Sequence, residues 1–421
     1  MGANLPAAAL CSHFPRLSAR AEQSTYADLE FSCHRCACRA PELSANGSGT
    51  ARSPRTLHLT DSGETGGAET IFAQLVQAAE RRGENIGAVI PDDGWLAQRL
   101  RALGIEPIVL PSKGSFNFGL VRRLVSLLRQ GGGELIHAHL LGSGVYAAAV
   151  GLLIGCPVIA VFHGASDLDD SGAMLAVKRW LLARRHVTVV AVSQAVRQAL
   201  LDWGLADSRV VVIVNGVDTD GYSPGHSDLL RIELGLPPHA RVVGAMGDVR
   251  KVKAYDVFVR AAAAVARTLP DVHFVAAGQG TTEDTEVLLR LGADLGVADR
   301  LHFLGFRSDG ADLYRNMDVF VSSASSEGLP LSFLEAMACG VPIAATANDG
   351  AQRLLAATGG GLLSPVGDAA ALAANITALL TDAPRANALA AAGRAAVERD
   401  FSLTSTLAQY AALCAAVTQR R

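Results

Sequence analysis

Leu135-Ile136-His137-Ala138 is followed, a few residues on, by Val145-Tyr146-Ala147-Ala148-Ala149-Val150-Gly151-Leu152-Leu153-Ile154, then Gly155-Cys156-Pro157, then Val158-Ile159-Ala160-Val161-Phe162. Residues 141–162 carry no charge, and a stretch of that length is long enough to span a bilayer. Gly155 and Pro157 argue otherwise. They split it into a helix-like half, 145–154, and a strand-like half, 158–162, as a buried turn between a helix and a strand requires. With 135–138 in front, the segment reads strand, helix, strand.

The alternation continues on both sides. Short apolar runs at 57–59, 86–90, 105–110, 135–138, 158–161, 187–192 and 210–214 read as buried strands, separated by stretches about one helix long. Parallel strands joined by right-handed helical crossovers are what such spacing implies. The pattern breaks at Tyr222-Ser223-Pro224-Gly225, leaves a linker at 219–240, and restarts with strands expected at 242–246, 273–277, 301–304, 319–322 and 343–345. The fold class is therefore α/β, with two doubly wound, Rossmann-like domains, 55–222 and 223–400, facing each other across a cleft. Ligands of such sheets lie beyond the carboxyl ends of the strands. The Ala-rich segment 383–421 is expected to be helical, with a C-terminal helix over 401–421, and to pack back across the linker.

Composition agrees. The 421 residues exceed what one core supports, so two domains of roughly 150 to 200 residues are expected. A chain that is 50% hydrophobic but only 5% aromatic favours helices on parallel strands over a β-sandwich. A net charge of −3 provides no basic field for nucleic acid, which is not an expected partner. The seven cysteines form no disulfide framework, which fits a cytoplasmic protein, and Met1 is followed by neither a basic region nor an apolar core of a signal peptide. Residues 1–54 lack periodicity and read as a disordered extension, or as the product of a start codon placed too far upstream. Within it Cys33, His34, Cys36 and Cys38, with Cys11 and His13, have metal-ligand residue types but make only one irregular knuckle, so an unstructured segment is the preferred reading.

The sharpest motif runs from Ser325-Ser326-Glu327-Gly328-Leu329-Pro330-Leu331 through Glu335 to Cys339-Gly340-Val341-Pro342, after the strand ending at Ser322. Pro330 suits a helix's first turn, and the amides of Gly328, Leu329 and Leu331 would then offer an anion site such as a diphosphate needs. Glu335, over a turn further in, would face the same cleft and accept hydrogen bonds from ligand hydroxyls. Gly340 and Pro342 end the helix. Two carboxylates near a helix start are otherwise ordinary capping or solvated groups.

With its flanks this motif closely resembles the E-x7-E signature of retaining GT-B glycosyltransferases, glycosyltransferase family 4, and the resemblance spans most of residues 57–400. Met246-Gly247-Asp248-Val249-Arg250-Lys251-Val252-Lys253-Ala254 is similar to the family's donor-phosphate loop; it implies that Lys253 and Arg250 neutralise a departing diphosphate beside Gly247. The family often has Arg where Asp248 stands and Gly where Ala254 stands. Thr65-Gly66-Gly67-Ala68-Glu69 resembles its glycine-rich first loop, which lets a phosphate or acceptor approach backbone N–H groups. Val161-Phe162-His163-Gly164 places His163 where the family has a histidine near the transferred sugar. Ala277-Gly278-Gln279-Gly280 resembles the turn lining the base and ribose pocket, and Asn215-Gly216-Val217-Asp218 the family's turn before the linker, which reads as structural. Residues 346–353 depart from the family's double glycine and glutamate, while the Asp167-x-Asp169 pair reads as a chance metal-like spacing.

The resemblance implies a nucleotide-sugar donor, a glycan or lipid-linked acceptor, a role in cell-surface polysaccharide or glycolipid biosynthesis, same-face attack with retained configuration, and no metal requirement. A sugar-nucleotide epimerase or phosphorylase on the same fold, or a non-catalytic sugar-nucleotide-binding protein, stands as the alternative. The basic stretch with Lys178, Arg179, Arg184 and Arg185 reads either as a peripheral contact with an anionic membrane or as an ordinary surface helix.

Overall fold

A computed structural model describes residues 54–111, 117–168 and 174–419; the N-terminal cysteine and histidine cluster and Asp169 lie outside them. The described residues open with β1 (Thr56–Thr60), buried along its whole length, with Leu57 and Leu59 on one face of the sheet and Thr56, His58 and Thr60 on the other. It is followed by α1 (Gly67–Arg81), β2 (Asn85–Ile90), α2 (Trp95–Ala102), β3 (Ile108–Val109), α3 (Phe118–Gly131), β4 (Leu135–His139), α4 (Leu141–Ile154), β5 (Val158–Phe162), α5 (Leu175–Leu182), β6 (Val187–Ala191), α6 (Gln194–Asp202) and β7 (Val210–Val212). Gly155 adopts the left-handed conformation that closes α4, so the uncharged stretch is a helix–turn–strand, buried except at the end of α4 where Leu152 and Leu153 reach solvent. Among the described residues no helix is long and apolar enough to cross a membrane.

The second half repeats the scheme. A short helix α7 (Leu229–Glu233) lies within the expected linker, and then come β8 (Arg241–Met246), α8 (Tyr255–Ala266), β9 (Val272–Ala277), α9 (Thr282–Asp294), β10 (Leu301–Gly305), α10 (Gly310–Arg315), β11 (Val319–Ser322), α11 (Leu331–Ala338), β12 (Ile343–Thr346), α12 (Asp349–Thr358), β13 (Gly361–Ser364), α13 (Ala369–Thr381), α14 (Ala383–Asp400) and α15 (Leu403–Gln419). The sheets have orders β3-β2-β1-β4-β5-β6-β7 and β10-β9-β8-β11-β12-β13, and every strand pair in them is parallel. In both sheets the direction of winding reverses beside the first strand, between β1 and β4 and between β8 and β11. Those two switch points are where a doubly wound sheet leaves room for a ligand.

Two helices close the described chain, the second over Leu403–Gln419 where a C-terminal helix over 401–421 is expected. The break falls at Phe401-Ser402, where Val217 donates to the Phe401 carbonyl (2.9 Å) and Leu403 donates back to the Val217 carbonyl (2.8 Å). A Cβ on Gly216 would meet the Ser402 backbone at 2.6 Å, so the 215–218 turn is structural, as read from sequence. Beyond the break α15 returns to the first domain and adds Tyr410, Leu413 and Val417 to its core. Tyr410 lies over the His137 ring with centroids 5.3 Å apart, and its buried hydroxyl has no partner among the described residues. Tyr410→Ala is expected to cost about 3 kcal/mol in the first domain's unfolding transition, as a large buried ring is lost. Tyr410→Phe should cost less than about 1 kcal/mol, since only an unpaired hydroxyl goes. Denaturant melts of the two variants check the order.

Candidate active site between the domains

β8 delivers the chain to Gly247, whose carbonyl accepts from the Tyr255 hydroxyl at 2.6 Å. The loop after β9 crosses so closely that a Cβ on Gly278 would collide with the Gly247 carbonyl; glycine is required there for packing. Asp248 then ties the two loops, accepting from the Gln279 amide at 3.1 Å and from the Arg250 guanidinium at 2.8 Å. A short helical turn, Lys251–Lys253, ends at Ala254, which holds φ of 47° in the left-handed region.

The loop after β11 is stitched to this turn. Ser323 Oγ donates to the Lys253 carbonyl at 2.8 Å, and the Ser325 amide (2.8 Å) and hydroxyl (3.1 Å) both donate to the Val252 carbonyl. From the other side Thr346 and Asn348 donate to the Ala324 carbonyl at 2.6 and 3.0 Å. The Asn348 side chain also caps α12 by accepting from the Ala351 amide, and a Cβ on Gly350 would meet the Glu327 and Gly328 carbonyls at 2.5 and 2.6 Å. The segment 346–350, which departs from the expected pattern, thus buttresses the Glu327 turn. The result is that Lys253 Nζ meets Glu327 Oε1 at 2.5 Å, with both side chains mostly shielded from water.

Two expectations change in detail. Pro330 is the residue before α11, in an extended conformation, because the helix starts at Leu331; Gly328 and Leu329 belong to the preceding turn. Their amides and that of Leu331 still make no hydrogen bond to a described residue. Glu335 is not left open to the cleft alone: its carboxylate accepts from the Tyr314 hydroxyl at 2.8 Å and also from Tyr222, and burial raises its pKa. A carboxylate has more acceptor sites than these two donors fill.

The first domain supplies the opposite wall. Gly66 precedes α1 and Gly67 begins it; a Cβ on Gly67 would lie 3.0 Å from Leu331 Cδ1 of the second domain. At another edge Trp95 meets Phe306 edge-on, centroids 6.3 Å apart. His163 follows β5, with its carbonyl 3.8 Å from where a Cβ on Gly328 would stand. Asp167 fixes this turn by accepting from the amides of His163 (2.6 Å) and Gly164 (3.1 Å), so it is a backbone clamp and not one half of a metal motif. Asp61, just after β1, accepts from the amides of Gly142 and Ser143, and burial pushes its carboxyl up to about 6. Glu69 is raised as well, by burial, against hydrogen bonding from Ser62 and the positive charge of Arg250. Arg250 is thereby placed near Glu69 as well as Asp248. Sequence reading gave no role to Asp61 or Glu69 and missed the clamping role of Asp167; Asp61 and Asp167 follow the carboxyl ends of β1 and β5, and Glu69 lies in the first turn of α1. Among the described residues no group of three or more His, Cys, Asp or Glu side chains is arranged to hold a metal ion.

Behind His163 lie His139, His137 and His58. Burial pushes His163 down to about 4 and His137 to about 3, with His58 and His139 well below the usual histidine range. Folded rings therefore stay neutral where unfolded ones, with pKa of about 6.5, take up protons. Their stabilising contribution is full above about pH 6.5 and is lost as pH falls toward the folded values. The raised carboxyl of Asp61 has the opposite sign and favours the folded state as pH drops through about 6.

Two parallel Rossmann-like sheets whose switch points share one cleft define a GT-B protein, and comparison with known proteins gives the family. The chain matches Glycosyltransferase Family 4 over residues 65–221 and Glycosyl transferases group 1 over residues 227–396. It is 30% identical over 307 residues, 68% of this chain and 71% of the other, to D-inositol 3-phosphate glycosyltransferase 1 of Catenulispora acidiphila. It is 33% identical over 254 residues, 58% of this chain and 68% of the other, to the lipopolysaccharide core biosynthesis mannosyltransferase LpsB of Rhizobium meliloti. The crystal structure of Anabaena HepE with UDP and glucose superimposes with a TM-score of 0.76 at 25% identity, covering 85% of this chain and 98% of that one. The chain belongs to glycosyltransferase family 4. It is a glycosyltransferase.

The strained Ala254 yields a check on the loop geometry. A non-glycine residue in the left-handed region costs about 1–2 kcal/mol, partly offset by glycine's greater unfolded freedom. Ala254→Gly should therefore stabilise the second domain by about 0.5–1 kcal/mol. A thermal melt showing destabilisation would contradict the backbone conformation.

Proposed function

We propose that this protein transfers a sugar, with retention of anomeric configuration, from a nucleoside-diphosphate sugar to a hydroxyl of a glycan or lipid-linked acceptor in polysaccharide or glycolipid synthesis. The observation that carries this is the Lys253–Glu327 pair, which brings an ammonium to the free amides of Gly328, Leu329 and Leu331. HepE binds UDP, and UDP-glucose in a further structure, which supports a nucleotide donor here. In this reading the diphosphate lies between the Lys253 ammonium, the Arg250 guanidinium and those amides, beside Gly247, with Gly278 packed behind the Gly247 carbonyl to hold the loop in place. As the bond from the anomeric carbon to the diphosphate oxygen breaks, charge accumulates on that oxygen, and Lys253 and Arg250 stabilise it. The acceptor hydroxyl attacks on the same face, and its proton passes to the leaving diphosphate. These cations provide the charge compensation a divalent ion would otherwise bring, so no metal is required. Glu327 holds the Lys253 ammonium and then faces the sugar, Glu335 retains acceptor sites for ribose hydroxyls, and Gly66, Gly67 and His163 form the wall toward the acceptor.

The lipid-linked variant of the acceptor is supported by a surface on the first domain. Trp180 of α5 is 49% exposed, and Leu152 and Leu153 at the end of α4 are 46% and 69% exposed. Arg184 stacks over the Trp180 ring at 3.9 Å, and Leu152 shares a surface hollow with Arg184 and Arg185. Lys178 lies on the same helix, whereas Arg179 is directed to Trp203, 5.1 Å from its ring. Residues 171–201 contain no acidic side chain. An apolar patch rimmed by cations fits the surface of an anionic bilayer on the cytoplasmic side.

Purified protein screened against UDP-, GDP- and ADP-sugars is expected to bind and hydrolyse or transfer from one of them, with EDTA leaving the rate unchanged. On that donor, Lys253→Ala and Glu327→Ala should each lower turnover at least about 100-fold while melting cooperatively; wild-type kinetics in either variant would remove that residue from the site. Donor binding with neither hydrolysis nor transfer to any acceptor would favour a non-catalytic binding protein. Co-sedimentation with vesicles containing anionic lipid at low salt should be lost in an Arg184→Glu, Arg185→Glu variant; no sedimentation of the wild type would dispose of the membrane contact.

A further inference from the structure

His58 and His137 are directly paired across β1 and β4, and His137 and His139 are two apart on one strand, hence on one face of the sheet. His139 pairs with Val161 of β5, so His163, two residues on, continues the same row. The ring centroids are 5.4 Å apart for His58 and His137, 5.0 Å for His137 and His139, and 5.2 Å for His139 and His163. A line of imidazoles thus runs beneath α1 and α15 from the amino edge of the sheet to the cleft. Phe72 covers it edge-on, 6.3 Å from His58 and 5.3 Å from His139.

One link in this row is a hydrogen bond. His139 Nδ1 lies 3.0 Å from His163 Nε2, with the rings stacked at 23°. The other nitrogens, His139 Nε2 and His163 Nδ1, are buried without a partner among the described residues. The bond needs one N–H and one lone pair, so whichever ring donates, the tautomer of one ring dictates that of the other. It also limits His163 rotation, because turning the ring would leave both facing nitrogens buried and unpaired.

We infer that His139 is a positioning residue of the active site: through its Nδ1 it locks the ring of His163, and with it the turn whose carbonyl faces Gly328, in one orientation, and ties the tautomer of His163 to its own. The Asp167 carboxylate holds the amides of the same turn from outside, so the acceptor-side wall is pinned from two directions. The charged groups around the row are Arg82 and Glu84 at the His58 end, where they line a small cavity with Tyr410, and Asp61 and Asp167 at the cleft end. None is hydrogen-bonded to a ring nitrogen of the row, and burial of the rings keeps them uncharged. His163 is accordingly a fixed neutral group across the working pH range, not a shuttle for protons.

The role rests on the glycosyltransferase reading, but its first test does not need activity. Long-range proton–nitrogen NMR of ring-labelled, unliganded protein should show His139 and His163 as neutral rings in the same tautomer, unchanged from pH 8 to pH 5.5. A His163 ring that titrates near pH 6.5, or a tautomer of His163 that differs from that of His139, would overturn the inference whatever the protein catalyses. Variants then address the bond. Asparagine can place an amide near the position of Nδ1, whereas phenylalanine keeps the ring and loses the bond. His139→Asn should retain kcat within about threefold, and His139→Phe should lower it by about tenfold to a hundredfold with donor Kd unchanged, as misplacement of a site wall does. Equal kcat in His139→Phe and wild type, or equal loss in both variants, would refute a positioning role. If His139→Phe does not fold, the wild-type NMR result decides.

Discussion

The ion pair between Lys253 and Glu327 is the constraint on which the site depends. The residues are separated by 74 positions, and they meet because the loops after β8 and β11 leave adjacent parallel strands at a switch point. Both are partly shielded, so removing one partner strands the other's charge in a site that water reaches poorly. The serine bonds from 323 and 325 to the carbonyls of Val252 and Lys253 fix the loops before any ligand arrives, which is preorganisation in its ordinary sense. An ammonium has three donors, and Glu327 uses one. The remaining two make no bond to a described residue and can take a diphosphate without breaking the pair.

The first domain solves a different problem. Its wall is neutral imidazole and amide-bound carboxylate, anchored by β1, β4 and β5 and backed by α15, which is contributed by the far end of the chain. This returning helix makes the first domain's core depend on residues that follow the second domain, while the bridge at Val217 and Ser402 pins the crossover between them. A charged, loop-built wall on one side and a rigid, neutral wall on the other suit a reaction in which charge develops on the donor's leaving group.

Much of this was legible in sequence, and the omissions have physical causes. Strands read well where both faces are buried. The run 105–110 was too long because Pro107 cannot donate to a ladder and β3 is an edge strand of only two residues. β13 went unread because it is a short, partly exposed edge segment with glycine at its start, and α7 because it has five residues, with Leu229 and Ile232 in solvent. The C-terminal helix expected over 401–421 is α15, and its start is set at Phe401-Ser402 by the contact with Val217. In the site, Lys253, Arg250, Gly247, Gly278 and Glu327 lie within short local motifs, so the chain's resemblance to its family found them together. Asp61, the partners of Glu335 and the histidine row do not. They arise from pairings between strands and from tyrosines on separate elements, and no local spacing encodes them.

The central claim is that Lys253 and Glu327 act as one unit on a single diphosphate. A double-mutant cycle on the affinity for the nucleoside diphosphate that binds, using Lys253→Ala, Glu327→Ala and the double variant, tests it most directly. Coupling of at least about 1 kcal/mol between the two substitutions is predicted, as for side chains in direct contact. Losses that simply add, with coupling near zero, would contradict it.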